Sequence, residues 1–379
     1  MAERRLTILQ LLPALETGGV ERGTLEVARG LVEAGHRSLV VSGGGRLVSR
    51  LTGQGSEHIE LPVGRKSPAG LWLVPKLRRL MREQQVDILH LRSRFPAWLG
   101  WLAWRGLTPA QRPGLVTTVH GFYSPGRYSR IMTRGQRVIA VSDSVRRYVE
   151  ATWPKLPTQR IRVIPRGIDP AIYPFGYRPP DGWLDRWYAE FPFLLERRLL
   201  TLPGRITRLK GHADFLRLVA DLARADPSVY GLVVGAEDPR HRRYAEQLHR
   251  LARRLGVQDR VGFIGHRLDL RDILAVSSLV CSLSARPESF GRTVCEALSL
   301  GVPVLGYDHG GVGETLARVW PEGRVPPGDQ DALAATARRL LAHGARPEPA
   351  RFTTLEEMCE QTLAVYRELD TGAPPGGTG

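Results

Sequence analysis

The chain has 379 residues, 42% of them apolar, which exceeds what one hydrophobic core usually serves and predicts about two domains. Lys and Arg number 54 against 38 Asp and Glu, and the net charge of +16 favours phosphate-bearing partners. The basic residues are spread along the chain without zinc-finger spacing, an RNP-like aromatic motif or basic-zipper heptads, which argues against a nucleic-acid-binding protein.

Cysteine usage and the apolar runs exclude further classes of protein. Cys281, Cys295 and Cys359 lie far apart and form no C-x-x-C pair, which indicates buried thiols in a reducing compartment and no structural metal. The N-terminal stretch MAERRLTILQLLPAL lacks an A-x-A-like cleavage site, so we expect a first strand rather than a signal peptide. The run FPAWLGWLAW is far shorter than the ~20 residues that span a bilayer. The sequence therefore predicts a cytoplasmic protein without a membrane span.

Short apolar runs alternate with amphipathic stretches along the chain. The first half contains the runs LTILQLL, SLVVS, HIELP, VDILHL, LVTTVH and RVIAVS. A segment rich in Pro, Gly and aromatic residues, 165–183, interrupts this rhythm, which resumes with RLLTLPG, VYGLVVG, RVGFIG, LVCSLS and PVLGY. Such a βαβ rhythm predicts two doubly wound α/β domains that face one cleft, with ligands beyond the carboxyl ends of parallel strands.

The interruption sets the expected domain boundaries. We expect an N-terminal domain over residues 1–165 and a second domain over 166–350, with a linker at about 165–198. A final helix over 351–370 can cross back to the first domain. Residues 371–379, TGAPPGGTG, have the composition of a disordered tail.

Two loops in the first half follow predicted strands. Gly18 and Gly19 immediately precede a predicted helix, where backbone N–H groups can bind a phosphate or a sugar, although a simple tight turn explains a double glycine equally well. His120 ends a strand, and from there it can hydrogen-bond a sugar hydroxyl, whereas a lone histidine is more often structural.

The second half offers a loop built for an anion. The strand LVCSLS is followed by the loop ARPESFGRT and the helix TVCEALSLG, in which Gly291 lets the backbone approach a ligand closely. Glu296, early in that helix, can accept hydrogen bonds from ribose hydroxyls, and Glu288 would face what lies beyond the phosphate. Each glutamate alone is equally well a solvated or capping acid, and their combination with SFGRT favours the nucleotide site.

Two cations open the second domain. Arg205 and Lys210 follow a strand that ends in glycine, within LPGRITRLKGH, and such a pair can neutralise a diphosphate. Surface cations are common in a chain this basic, so the pair is weak evidence by itself.

Together these motifs resemble the retaining glycosyltransferases of the GT-B fold, whose signature is two glutamates with seven residues between them, here Glu288 and Glu296. The resemblance implies that Glu288 contacts hydroxyls of the donor sugar and that Glu296 holds the ribose. It also implies that Arg205 and Lys210 neutralise the diphosphate. The remaining residues that it assigns to the donor site are Gly18 and Gly19 in the N-terminal glycine loop, His120 beside the sugar, and the backbone of Phe290, Gly291, Arg292 and Thr293.

The resemblance covers about residues 5–370 and includes AVSDSVRRY and GVPVLGYDHGGVGE. It departs at 164-IPRGID-169, where many members have asparagine and this chain has Arg166, so the role of that asparagine cannot be carried over. More narrowly, GGVERGTLEVARGL, RSRFPAW, TTVHGFYS and IMTRG resemble bacterial enzymes that build lipopolysaccharide.

The function that the resemblance implies is retaining transfer of a hexosyl-type sugar, with UDP as the preferred carrier, to a lipid-linked glycan such as the lipopolysaccharide core. No metal or other cofactor is expected, because the two cations can take the place of a divalent ion. Two alternatives stay open: a non-catalytic sugar-nucleotide-binding subunit, and a GT-B enzyme of another reaction type, such as an epimerase or phosphorylase. A dinucleotide dehydrogenase is disfavoured because no strand is followed by G-x-G-x-x-G.

A tryptophan-rich segment bears on where the protein works. Tryptophans at positions 98, 101 and 104 share one side of a predicted helix. They either pack on the first sheet or meet a membrane interface, where tryptophan is favoured and basic residues attract anionic lipid. The membrane interpretation predicts a peripheral protein on the inner face of the bacterial inner membrane, with contacts from Arg92, Arg94, Trp98, Trp101 and Arg105.

Overall fold

The computed structural model describes residues 4–16, 18–237 and 242–370. The chain folds into two compact units. One consists of the residues up to Gly167 together with those from Thr353 onward, and the other runs from Ile168 to Phe352. Each unit contains one parallel sheet with helices, which confirms the prediction of two doubly wound α/β units.

The first unit is built on a seven-stranded sheet. Its strands are β1 Thr7–Leu11, β2 Arg37–Ser42, β3 Glu57–Glu60, β4 Ile88–Leu91, β5 Gly114–Val119, β6 Arg137–Ala140 and β7 Ile161–Val163. Its first helices are α1 Gly19–Glu33, α2 Val48–Gly53, α3 Leu73–Glu83, α4 Arg94–Arg105 and α5 Asp143–Thr152. The strand order is β3-β2-β1-β4-β5-β6-β7, so the direction of winding reverses between β1 and β4.

Both faces of this sheet are covered, which explains why its strands are continuous apolar runs. On β1, Leu9 and Leu11 belong to one buried cluster, whereas Ile8, which directly precedes Leu9, belongs to another. Because successive side chains of a strand point to opposite faces, each face of the sheet has its own core.

The second unit repeats the plan with six strands. They are β8 Arg198–Pro203, β9 Val229–Val234, β10 Val261–Phe263, β11 Leu279–Ser282, β12 Val304–Tyr307 and β13 Arg324–Val325, in the order β10-β9-β8-β11-β12-β13. The helices are α6 Asp181–Glu190, α7 His212–Ala225, α8 Arg242–Arg254, α9 Leu270–Ala275, α10 Arg292–Ser299, α11 Gly310–Val319 and α12 Gln330–His343. Winding reverses between β8 and β11, so the loops that follow these two neighbouring strands share one edge of the sheet.

The last helix, α13 Leu355–Arg367, belongs to the first unit and packs on α1. It begins with a capping box between Thr354 and Glu357. The hydroxyl of the fully buried Tyr366 lies 2.6 Å from Nδ1 of His90, whose Nε2 lies 2.6 Å from Oγ1 of Thr118. Burial holds the pKa of His90 well below its ordinary value, so the ring is neutral.

None of the helices in the described ranges is both long enough and apolar enough to cross a membrane. The predicted disordered tail, 371–379, lies outside the described residues.

The buried contact of Tyr366 predicts a measurable contribution to stability. Tyr366→Phe leaves Nδ1 of His90 without its partner, so the free energy of unfolding should fall by about 1–3 kcal/mol. Urea denaturation followed by circular dichroism measures this. The control is Tyr128→Phe, because Tyr128 is 40% exposed and its hydroxyl bonds to no residue of the described ranges. Equal stability of the Tyr366→Phe variant and wild type would contradict the prediction.

Candidate functional site

In the second unit, the chain that leaves β8 turns against the end of β11. Gly211 starts α7 with a φ of 74°, and a Cβ there would lie 1.8 Å from the carbonyl oxygen of Leu283. Only glycine allows this backbone conformation and this close approach. The preceding turn, Arg208–Lys210, is thereby held beside the loop that follows β11.

That approach brings together two of the residues singled out from the sequence. Nζ of Lys210 lies 2.6 Å from Oε1 of Glu288, and the Ser284 hydroxyl donates to the same oxygen. Burial raises the pKa of Glu288, but Lys210 and Ser284 lower it by more, so the carboxylate is ionised at neutral pH. The side chains of Lys210 and Glu288 remain 33% and 22% exposed. A charged pair of fixed geometry therefore faces solvent at the carboxyl end of the sheet.

The backbone around Glu288 is fixed as well. Its carbonyl oxygen accepts a hydrogen bond of 2.7 Å from the backbone N–H of Gly311, which lies in the first turn of α11. Nε2 of His309 donates to the carbonyl oxygen of Ser284 over 2.8 Å. The predicted site did not include Ser284 or His309, although both lie in segments that the sequence singled out.

The loop reaches α10 through Gly291, which has a φ of 82°. A Cβ at this position would lie 2.6 Å from Cγ2 of Val312. Phe290, Arg292 and Thr293 are half-buried on this loop and the first turn of α10. Glu296, one turn further along, is buried. The structure therefore places the predicted phosphate-contacting backbone and the predicted ribose residue on consecutive turns of one segment.

Arg205 is arranged differently from Lys210. It is exposed and forms no ion pair with any residue of the described ranges. The structure does not bring it into contact with Glu288. Its guanidinium is available to a ligand.

In the first unit, Gly18 and Gly19 open α1. Gly18 is the N-cap with an extended backbone, φ 170°, and no side chain caps the helix. A Cβ at Gly19 would have no neighbour within 4 Å, and at Gly18 it would meet only the movable end of Glu21. Neither glycine is required by the local backbone. Their lack of side chains instead leaves the first N–H groups of α1 accessible.

His120 follows the carboxyl end of β5 and has a fixed protonation state. The guanidinium of Arg166 donates to its Nδ1. Burial, together with the nearby charges of Arg166 and Arg92, holds the pKa of His120 well below its ordinary value. A neutral ring whose Nδ1 accepts carries its proton on Nε2, and Nε2 has no partner in the part of the chain that the structure describes. The sequence showed Arg166 only as a departure from the family and gave no sign of this contact.

The tryptophan-rich segment forms α4, and its side chains divide between the core and the surface. Trp98 and Trp101 are half-buried against the core of the first unit, and the indole N–H of Trp98 donates to the carbonyl oxygen of Tyr128 over 3.0 Å. Arg94 is half-buried, with Nη1 3.2 Å from Oγ of Ser129. Arg105 is exposed.

The expectation that Arg92 contacts a membrane surface is wrong. Arg92 is 1% exposed, and its Nη1 donates to Oε1 of Gln10 over 2.8 Å. It follows β4 directly and turns under α1, where a Cβ on Gly23 would lie 3.3 Å from its Nη2. Burial lowers the pKa of Arg92 to about 10, so the side chain remains a buried cation.

No group of three or more His, Cys, Asp or Glu side chains within residues 4–16, 18–237 and 242–370 is arranged to hold a metal ion.

Two family descriptions match the chain. Residues 17–172 match "Glycosyltransferase Family 4", and residues 186–354 match "Glycosyl transferases group 1". The matched segments contain the Gly18 loop and His120 in the first case, and Lys210, Glu288 and Glu296 in the second.

Curated relatives match over part of their length. The alpha-maltose-1-phosphate synthase of Mycolicibacterium smegmatis is 32% identical over 61% of this chain and 63% of its own. A D-inositol 3-phosphate glycosyltransferase of Acidothermus cellulolyticus is 29% identical over 62% of this chain and 56% of its own. The chain thus spans less than two thirds of these two relatives.

Solved structures match over nearly the whole chain. A glycosyltransferase of Rickettsia africae is 28% identical with a TM-score of 0.82, covering 98% of this chain and 100% of its own. Anabaena HepE in complex with UDP-glucose is 20% identical with a TM-score of 0.76, covering 96% and 98%. WaaG, described as involved in lipopolysaccharide biosynthesis, is 18% identical with a TM-score of 0.67, covering 96% and 95%. The last two similarities show the fold alone, and the fold is that of GT-B glycosyltransferases.

The close contact at Gly291 predicts a specific loss of stability. Gly291→Ala combines left-handed strain with a clash against Val312, so it should destabilise the protein more than the ~1–2 kcal/mol of strain alone. Gly256→Ala is the matched control, because Gly256 has a φ of 70° and a Cβ there would have no neighbour within 4 Å. Urea denaturation compares the two variants. Equal destabilisation would show that the clash does not matter.

Proposed function

Because this chain belongs to the GT-B glycosyltransferases, we propose that it transfers a hexosyl-type sugar from a nucleotide diphosphate sugar, with retention of anomeric configuration. The observation that carries the proposal is the Lys210–Glu288 pair with Ser284, fixed where β8 and β11 end and next to the start of α10. Phosphate and sugar recognition are thereby combined at the position where doubly wound folds bind their ligands.

The diphosphate is assigned to the cations and the backbone. Lys210 is fixed by its ion pair, and Arg205 is exposed without an ion pair to any described residue, so a diphosphate can take its charge from Arg205 and from the solvent-facing side of Lys210. The N–H groups at the start of α10 add further donors. Stabilising the leaving diphosphate in this way is expected to be the largest electrostatic contribution to the rate.

Two carboxylates and a histidine are assigned to the sugars. The ionised Glu288 accepts hydrogen bonds from hydroxyls of the donor sugar, and Glu296 accepts those of the ribose. His120 is neutral with its proton on Nε2, so it can donate to a sugar hydroxyl. Retention then proceeds by same-face attack as the diphosphate departs, because none of these residues is assigned as a covalent nucleophile.

The donor and acceptor are the finer parts of the proposal. UDP is the preferred carrier, supported by the fold shared with HepE, which was crystallised with UDP-glucose. A lipid-linked glycan such as the lipopolysaccharide core is the proposed acceptor, supported by the fold shared with WaaG and by the sequence resemblance. Such an acceptor places the enzyme on the inner face of the inner membrane, with Arg94, Trp98, Trp101 and Arg105 as the proposed contacts.

The proposal is tested by incubating the protein with UDP-sugars and a lipopolysaccharide-core acceptor, and by following the product by NMR. An axial or equatorial anomeric linkage that matches the donor supports retaining transfer. An inverted linkage would contradict retention. Epimerised donor without transfer, or UDP binding without transfer or donor hydrolysis, would contradict the assignment as a transferase.

The two glutamates should affect different steps. Glu288→Gln is expected to lower kcat by about a hundredfold, because contacts aimed at the reacting sugar act in the transition state. Glu296→Gln should weaken UDP binding by about ten- to a hundredfold, the worth of a hydrogen bond to a charged group. Calorimetric titration with UDP and steady-state kinetics separate these effects. Unchanged UDP affinity in Glu296→Gln would contradict the ribose assignment.

Chelation should leave activity unchanged. The physical reason is that Arg205 and Lys210 occupy the position of a divalent ion at the diphosphate. The Asp-x-Asp pair in this chain, Asp329 and Asp331, lies at the start of α12, where Asp329 accepts from the backbone N–H of Ala332 as a helix cap. Initial rates with and without EDTA provide the measurement. Loss of transfer on chelation, restored by magnesium or manganese, would show that the assignment is wrong.

A further inference from the structure

A second basic site lies in the first unit. A cavity of about 920 Å³ is bordered by the last turn of α4, the turn Ser129–Thr133 and the segment that follows α5. Six cations line this basic pocket: Arg105, Arg112, Arg130, Arg134, Lys155 and Arg160. No acidic residue lines it, and within the described part of the chain none of the six forms an ion pair.

Several of these cations are held in place by neutral groups. The guanidiniums of Arg105 and Arg134 lie 5.0 and 5.5 Å from the ring centre of Trp101, and that of Arg112 lies 4.9 Å from the ring of Trp104. Arg160 donates to the carbonyl oxygen of Gly135. Aromatic rings and carbonyls fix the guanidiniums but leave their charge uncompensated, so a ligand meets pre-organised donors.

Placing these cations close together has an electrostatic cost that an anionic ligand would remove. Burial lowers the pKa of Arg160, and the like charges of Arg137 and Arg134 lower it further. A phosphate group that enters the pocket would reverse this repulsion. Guanidinium groups also match the geometry of phosphate oxygens through paired hydrogen bonds.

The basic pocket is distinct from the proposed donor site. Arg112 shortly precedes β5, Arg134 precedes β6 and Arg160 immediately precedes β7. These positions lie at the amino ends of parallel strands, whereas His120 follows the carboxyl end of β5. The basic pocket is therefore at the edge of the sheet opposite to His120, and the ligand of the donor site does not account for it.

We propose that the basic pocket binds a phosphate-bearing group other than the sugar nucleotide, either the headgroup of an anionic lipid or a soluble phosphate compound. The proposal rests on the geometry of the first unit and does not depend on sugar transfer. Binding should weaken with salt, because the exposed members of the set are screened by counterions.

The experiment measures binding rather than activity. The full chain is sedimented with vesicles of phosphatidylglycerol in phosphatidylcholine. Separately, pyrophosphate is titrated calorimetrically into proteins that also carry Arg205→Met and Lys210→Met, so that it cannot bind at the proposed donor site. The test variant is Arg130→Gln, Arg134→Gln and Lys155→Gln, three exposed cations of the pocket. Three charges near an anionic surface give an expected loss on the order of a hundredfold in affinity.

A matched control removes the same charge elsewhere in the first unit. It carries Arg50→Gln, Lys76→Gln and Arg82→Gln, three exposed cations that form no ion pair within the described ranges. Binding of a probe by the wild-type pocket and by the control, but not by the pocket variant, supports the site. Binding of vesicles alone indicates that the ligand is a lipid headgroup, whereas binding of pyrophosphate indicates a soluble ligand. Equal loss in both variants, or no binding of either probe by wild type, would overturn the proposal.

Discussion

Parallel strands must be joined by crossovers, and this constraint decides which residues of the chain can meet. In the second unit it makes β8 and β11 neighbours although residues 204–278 of the chain separate them. The loops after these strands then share one edge, where Gly211 lies directly against Leu283. Lys210 and Glu288 are brought into contact as a consequence, and the start of α10 follows on the same loop. Strand order therefore determines which residues meet at the candidate site, and the individual side chains act within that arrangement.

Charge in this protein is concentrated at positions where local groups fix it. Glu288 keeps its negative charge because Lys210 and Ser284 offset its burial. His120 is kept neutral beside Arg166, which also determines which ring nitrogen carries the proton. The two units thus fix protonation states in opposite ways. In the second unit an ion pair keeps Glu288 charged, and in the first unit burial beside a cation keeps His120 neutral. Both fix the protonation state of a polar group.

Most of the fold could be predicted from the sequence, because long apolar runs with turn residues between them have few other structures open to them. The exceptions are β7, with three residues, and β13, with two, which lie in none of the predicted apolar runs. The Glu288 to Glu296 segment was also predictable, because its spacing places both residues on one loop and the following helix. Contacts between residues from different parts of the sheet could not be predicted from the sequence. Arg92 looked like one of several surface arginines until its burial beside Gln10 was visible, and the contact between Arg166 and His120 joins residues of different loops.

The central claim is that Arg205 and Lys210 bind the diphosphate of the donor. The most direct measurement compares the affinities of UDP and uridine for wild type and for the Arg205→Met, Lys210→Met variant by calorimetric titration. The account predicts that wild type binds UDP much more tightly than uridine, that the variant loses this preference, and that uridine binding itself is unchanged. A variant that keeps the full preference for UDP would contradict the account, because the diphosphate would then be bound by other groups.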